Sequence, residues 1–369
     1  MNKKPTSDHF QWHWLPAILI YAVSALEVII MVTPFAAYFY SVYTPIIHAF
    51  TLFESTAWLP QFFIPHLAQS KNQLFLALSY LGPPLAGIGL LGFLACAAQL
   101  YYGKFVKRLL VNSGLYARVR HPQYLCLSIS GLGFLLMWPR FFVLLTFLMM
   151  LGLYYLLARH EEEVIRGKYG KESERYMARI SMFNPFRSPS RARGWKPPRR
   201  TIALAAWLLL SLVSIGLAFL LRQEATTQLY AVRWESPNVT AISFMPREND
   251  QIISTIQAVL TTEAVQNGLE QAPGISLLMQ IATGRMEAEH LLTDLGMKAG
   301  AIQLMQLPDF GDYVVVSYME SSNGRVDPYA LDTRIFPLFF VQPRGLSGGL
   351  DIRSFVEEQF YPDFYRILF

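Results

Sequence analysis

The chain has 369 residues, 53% of them hydrophobic, 14% aromatic and only 15% charged, with a mean hydropathy of +0.29. Soluble domains carry about 25% charged residues, so this composition excludes a disordered chain and argues against a single soluble domain. The only two cysteines, Cys96 and Cys126, both lie in apolar runs, which excludes a disulfide scaffold. The net charge of +5 conceals a division. Residues 1–222 carry 22 Lys and Arg against 8 Asp and Glu, whereas residues 223–369 carry 9 against 18. Such asymmetry is expected of two halves that face different solvents. The basic residues lie beside apolar segments, which points to a membrane surface and not to nucleic acid.

A membrane-spanning helix needs about 20 mostly apolar residues. The first candidate runs from Trp14 to Tyr40 and contains Glu27 and Pro34. Trp12 and Trp14 precede it and Tyr38, Tyr40 and Tyr43 close it, an interfacial aromatic pattern. The run is too long for a cleavable signal peptide, and no small-residue cleavage site follows. Glu27 is an intramembrane carboxylate to which no role is assigned. Residues 44–71, with Pro60 and Pro65, read as an interfacial or re-entrant connection. The second candidate runs from Gln73 to Tyr102, broken at Gly82-Pro83-Pro84, and a basic stretch follows with Lys104, Lys107, Arg108, Arg118 and Arg120. The third and fourth, Tyr124 to Met137 and Phe141 to Leu157, form a helical hairpin through Trp138-Pro139-Arg140. Residues 159–200 hold 12 Lys and Arg, and the fifth candidate is Ile202 to Leu221.

The positive-inside rule puts the N-terminus and both basic stretches in the cytoplasm. Five spans satisfy that parity, and they place the acidic region 223–369 on the far side, as in a bacterial inner-membrane protein. The expected architecture is an α-helical integral membrane domain of about five spans over residues 1–222, followed by an extracytoplasmic α+β soluble domain over 223–369. In the latter, 251–265 and 275–295 have helical periodicity, and 313–318 and 335–341 read as strands. Its length is enough for one domain, and it carries no chemical motif.

Chemistry concentrates around the hairpin. Before it stands Gly114-Leu115-Tyr116-Ala117-Arg118-Val119-Arg120-His121-Pro122-Gln123-Tyr124. After it come Arg159-His160-Glu161-Glu162-Glu163, then Tyr169-Gly170, Tyr176 and Pro185. A hairpin returns both its ends to one membrane face, so 116–124 and 159–176 become neighbours. Pro122, lacking a donor, suits the first turn of the helix entering the bilayer. The block has no Gly-rich phosphate loop and no metal-ligand spacing. It suits a cationic, amphiphilic cofactor: carboxylates can hold an ammonium, and tyrosine faces a positive sulfonium. Taken alone, a basic residue and Pro before a membrane helix are ordinary, and Glu161-Glu162-Glu163 is ordinary as a solvated helix end. Together, in order and spacing, they are specific.

At these residues the sequence resembles the isoprenylcysteine carboxyl methyltransferase and phospholipid methyltransferase superfamily, over roughly residues 100–186. Gly114 and Tyr116 match its opening, and Arg120, His121, Pro122 and Tyr124 its Arg-His-Pro-x-Tyr signature. Glu161 and Glu162 match its acidic pair, Tyr169-Gly170 its aromatic-Gly, and Tyr176 and Pro185 its late Tyr and closing Pro. Cys126 stands where the family usually has Gly, and Ser173 where it often has Tyr. The resemblance implies methyl transfer from S-adenosylmethionine to a lipid or lipid-linked acceptor that arrives from the bilayer. The cofactor would be held by Tyr116, His121, Pro122, Gln123, Tyr124 and Glu161 or Glu162. The segment Arg108, Leu109, Leu110 and Val111 would line the same pocket, with Arg159 near the substrate; the catalytic set is Arg159, Glu161 and Glu162. Sterol-reductase-like proteins that use NADPH share Arg-His-Pro-x-Tyr and Lys-Tyr-Gly, but generally carry Arg-Asp where this chain has its Glu pair. A third reading is an inactive membrane anchor that presents the outer domain, with Cys126 and Ser173 as signs of decay.

Overall fold

A computed structural model describes residues 15–43, 50–103, 113–186, 200–235, 238–271, 274–294 and 302–354, apart from 51–52, 54, 57, 67, 304, 306, 310, 322–326, 331–332 and 345–348. The helical part contains α1 (Leu15–Tyr43), α2 (Gln73–Tyr102), α3 (Pro122–Met137), α4 (Phe141–Tyr169), a short α5 (Lys171–Arg179) and α6 (Arg200–Thr227). Among the described residues, three helices are long and apolar enough to cross a membrane: α2, α4 and residues 201–227 of α6. The stretch Ala25–Ser41 of α1 and all of α3 are apolar but shorter.

Small residues bring α2 and α3 into close contact. A Cβ added at Gly89 would lie 2.4 Å from the Ser130 nitrogen, and one at Gly133 would lie 2.3 Å from the Ala86 nitrogen. This is the packing that membrane helices use where apolar side chains gain nothing by leaving lipid. Ser130 Oγ donates to Ala86 O across the seam at 3.1 Å. α2 runs through Pro83 and Pro84 without a break, contrary to the expectation from sequence; a membrane helix tolerates proline where neighbours pack on it. α1 joins through Tyr38, whose hydroxyl donates to Gly131 O at 2.7 Å. α6 joins through Trp207, whose indole N–H donates to Leu148 O of α4 at 2.9 Å.

The hairpin turn at residues 138–140 is gripped from outside. Phe63 N donates to Pro139 O (2.8 Å), Phe141 N to Gln61 O (3.1 Å) and Phe142 N to Leu59 O (2.8 Å). Arg140 Nη1 donates to Pro60 O at 2.9 Å, and its guanidinium lies 4.1 Å from the centre of the Phe62 ring. Arg222, buried near the end of α6, donates to Phe62 O at 2.5 Å, to Gln61 Oε1 at 2.8 Å and to Tyr329 O at 3.1 Å. The connection before α2 is therefore a clamp, packed between the hairpin turn and the C-terminal sheet.

That sheet has six strands in sequence order: β1 (Tyr230–Trp234), β2 (Val239–Ser243), β3 (Ser276–Thr283), β4 (Asp312–Ser321), β5 (Thr333–Arg344) and β6 (Gly349–Ser354). β2 and β3 are parallel and the other neighbours antiparallel. The parallel step requires a crossover, supplied by α7 (Asn249–Leu260) and α8 (Glu263–Gln271). Ile252, Ile256 and Val259 of α7 cover one face, against Ala241, Met279 and Val316. The other face packs on Leu291 and Leu292 of α9 (Arg285–Asp294) and takes in Phe62 and Ala68 from the clamp, beside Ile242, Leu278 and Phe340. The helical expectation for 275–295 fails in its first half: residues 276–283 are β3. Both of its faces are covered and Leu277 to Ala282 are all buried, so the strand shows no alternation to read.

The Tyr116–Tyr124 and Glu161–Glu162 segments and the sheet lie at opposite ends of one hairpin. From Phe141 to Glu162, α4 rises about 32 Å at 1.5 Å per residue, close to the hydrocarbon thickness of about 30 Å.

Candidate functional site

The first half of the site is shaped by a turn. Gly114 has φ of +58°, and a Cβ there would meet the Gln99 side chain at 2.6 Å. Gln99 Nε2 donates to Ser113 O, tying the turn to the end of α2. The tight turn Gly114–Ala117 sends Tyr116 inward, where its hydroxyl donates to Gln123 Oε1 at 3.1 Å. Tyr176 of α5 donates its hydroxyl to Tyr116 O at 2.7 Å. The next residues run beside 181–182: Arg120 N donates to Ser181 O at 2.9 Å and His121 N to Met182 O at 3.3 Å. Pro122 then opens α3, with His121 at the N-cap position.

The second half arrives on α4. Met150, Tyr154, Ala158 and Glu162 are buried at four-residue spacing, so one apolar stripe ends in a carboxylate. Arg120 Nε lies 3.0 Å from Glu162 Oε1, and Arg120 Nη1 donates to Met177 O at 3.0 Å. His121 bridges the acidic pair, with Nδ1 3.2 Å from Glu161 Oε2 and Nε2 3.4 Å from Glu162 Oε1. Tyr124 donates its hydroxyl to Glu161, and its ring stacks on Tyr154 with centroids 4.8 Å apart. The two carboxylates differ: the Glu162 side chain is 5% exposed, that of Glu161 38%.

Burial alone would lower the His121 pKa, but hydrogen bonds and charge from Glu161 and Glu162 outweigh it, so the imidazolium is favoured. Burial draws the Arg120 guanidinium down from its ordinary value, and Glu162 opposes the fall. Burial raises the Tyr116 and Tyr176 hydroxyls, which stay protonated donors.

Of the residues singled out by sequence, Tyr116, His121, Pro122, Gln123, Tyr124, Glu161 and Glu162 are thus gathered at one place. Arg159 stands to one side, its Nη1 3.4 Å from the Tyr155 hydroxyl, at the rim of an apolar groove. Arg108, Leu109, Leu110 and Val111 lie outside the described residues. Cys126 points into the seam with α2, where a Cβ on Gly92 would come 2.8 Å from its Sγ; the missing side chain at Gly92 answers the one present at Cys126. Ser173 is buried and donates to Gly170 O at 2.7 Å. Sequence reasoning left Arg120, Tyr154 and Phe183 out of the site. Phe183 sits 6.0 Å from the His121 ring. The four-residue stripe on α4 was the available clue to Tyr154 and to which glutamate is buried.

Neither curated proteins nor solved structures give a match to this chain. Residues 91–172, which contain the Tyr116–Tyr124 stretch, the whole hairpin and the acidic pair, match the family model of the phospholipid methyltransferases.

Proposed function

We propose that this chain is a membrane-embedded methyltransferase that uses S-adenosylmethionine and acts on a lipid or lipid-linked acceptor. The observation that carries the reading is the meeting of His121 and Tyr124 with Glu161 and Glu162 across the hairpin, within a segment that matches a methyltransferase family. The donor set fits the cofactor. Glu162 is buried between Arg120 and His121, whereas Glu161, bonded by His121 and Tyr124, is 38% exposed and keeps an edge for an incoming ammonium, with Tyr116 nearby. S-adenosylmethionine, when bound, supplies a methyl carbon activated by a positive sulfur. The residues of the chain have then to orient and to exclude water: Glu161 binds, Arg120 and Glu162 position His121, and the aromatic wall of Tyr124, Tyr154 and Phe183 keeps the site dry.

The test is binding of S-adenosylhomocysteine to the purified protein. A charged hydrogen bond contributes about 1.5–3 kcal/mol, so Glu161→Gln should weaken binding roughly 10- to 150-fold. Binding of NADPH with no response to S-adenosylhomocysteine would replace this reading by the reductase one, and binding of neither by the anchor.

The same proposal gives the chain five spans, with the Glu161–Glu162 site in the cytoplasm and the sheet domain across the membrane. The basic stretches at 104–120 and 159–200 support it, as does the hairpin's length. A reporter active only in the cytoplasm, fused after Phe369, should be silent; activity there would refute this topology.

A further inference from the structure

The chain's only two cysteines face each other across the α2–α3 seam. The helices run antiparallel there: a Cβ on Gly82 would meet Met137, one on Gly89 would meet Ser130, and one on Gly92 would lie 2.8 Å from Cys126 Sγ. Cys96 continues the stripe of Gly82 and Gly89 at seven-residue spacing, and all three are buried. A helical side chain leans towards its own N-terminus. In antiparallel helices that lean brings Cys96 back towards Gly92 and Cys126 back towards Pro122, so the two side chains approach. Each thiol lies within hydrogen-bond reach of the other. Both are free; Cys96 is sealed, whereas Cys126 is partly exposed.

The Gly114–Ala117 turn hangs on the same place. Tyr116 Oη lies 3.4 Å from Cys96 O on α2 and 3.1 Å from Gln123 Oε1 on α3. Gln99, almost one turn beyond Cys96, donates to Ser113 O. The Tyr116 hydroxyl thus straddles the seam that the two sulfurs straddle.

We infer that Cys96 and Cys126 are an oxidisable pair whose disulfide shifts the Tyr116 turn and weakens the site beside it. The oxidant is a hydroperoxide soluble in the bilayer. Cys126, the accessible partner, attacks its terminal oxygen: an S–O bond forms, the O–O bond breaks, and the thiol proton leaves with the alcohol. The Cys96 sulfur then attacks the sulfenic sulfur of Cys126. An S–S bond forms, the S–O bond breaks, and the Cys96 proton leaves in water. Two thiols have then given two electrons to one peroxide. A thiol contact must close to a bond of about 2.05 Å. The seam is already at its closest around Gly89, where no methyl group would fit, so the sulfurs come together only by moving the end of α2 that bears Cys96 and Gln99. That end carries the turn. Buried cysteines usually act as small apolar fillers. What sets this pair apart is mutual contact, one partner open to reagents, and a shared link to Tyr116. The inference rests on the methyl-transfer reading only for the identity of the ligand that is lost.

The experiment treats the full chain in nanodiscs with tert-butyl hydroperoxide. Intact mass, proteolytic peptides and amide hydrogen exchange are then measured. The protein should lose two hydrogens and yield one peptide pair joined through Cys96 and Cys126. Exchange over residues 113–120 should quicken roughly tenfold as the turn loses its anchor, and dithiothreitol should reverse both changes. In Cys126→Ser and in Cys96→Ser, which keep the size and cannot be bridged, exchange should not respond to the peroxide. Oxygen added at Cys126 with Cys96 left as a free thiol, or no reaction at either, would overturn the pair. Unchanged exchange in a bridged protein would overturn the link to the turn. S-adenosylhomocysteine binding to the reduced protein tests the methyl-transfer reading separately, because the bridge and the exchange are read with no ligand present. Where it binds, bridging should weaken it about tenfold, or about 1.4 kcal/mol; equal affinity in the two forms would overturn the effect on the site.

Discussion

Each end of the α3–α4 hairpin is organised by a buried arginine, and the two are held in different ways. At one end Arg120 faces a carboxylate, Glu162, with His121 and Glu161 adjoining. At the other, Arg222 donates to two backbone carbonyls and a side-chain amide. An ion pair in a low-dielectric place leaves a costly charge behind when one member is lost, and its members can titrate. A guanidinium held by neutral dipoles has no titrating partner in that set, and it fixes backbone. The first arrangement suits a site that must accept a charged ligand, the second a scaffold.

The sharpest way to break this comparison is to remove each arginine. Arg120→Met should cost about 3–5 kcal/mol by stranding Glu162, and a second change, Glu162→Gln, should recover part of that loss; thermal unfolding of the single and double variants measures the coupling. Arg222→Met should cost about 3 kcal/mol, from acceptors left unsatisfied, and Glu162→Gln should return nothing. If that change rescued both variants alike, the distinction between the two ends would collapse.

A smaller effect concerns pH. The folded-state pKa of His121 is raised by Glu161 and Glu162, so its contribution to stability is complete below the unfolded value of about 6.5 and is lost as pH rises through the folded value. The unfolding temperature should therefore fall as pH climbs above about 6.5, and His121→Asn should flatten that dependence. An unchanged slope in the variant would remove His121 as the titrating group.

Much of the helical part was legible because its information is local. Apolar length marked α2, α4 and α6, and Pro139 with its neighbours marked the turn. The hairpin itself foretold that 116–124 and 159–176 would become neighbours. What could not be read depends on remote partners. β3 lies between β2 and β4 with both faces covered, so its sequence lacks the alternation of a half-buried strand and its apolar run reads as helical. Residues 59–63 look like an irregular connection because the groups that satisfy them, Pro139 and Arg222, lie far along the chain. Arg120 was visible as part of a motif, but its pairing with Glu162 and not Glu161 depends on which face of α4 is buried.

The clamp has a consequence in time. Arg222 reaches Phe62 across 160 residues of sequence, which at ordinary synthesis rates of about 5–20 residues per second means about 8–30 s between the appearance of the two. Phe340, which shares a core with Phe62, appears later still. Throughout that interval the α3–α4 hairpin can already be threaded while Phe62 and Ala68 have no sheet to enter, so assembly ends with the last-made strands closing on an early-made segment. A chain interrupted within the sheet would keep every residue of the Glu161–Glu162 site and yet leave the opposite end of its hairpin without backing.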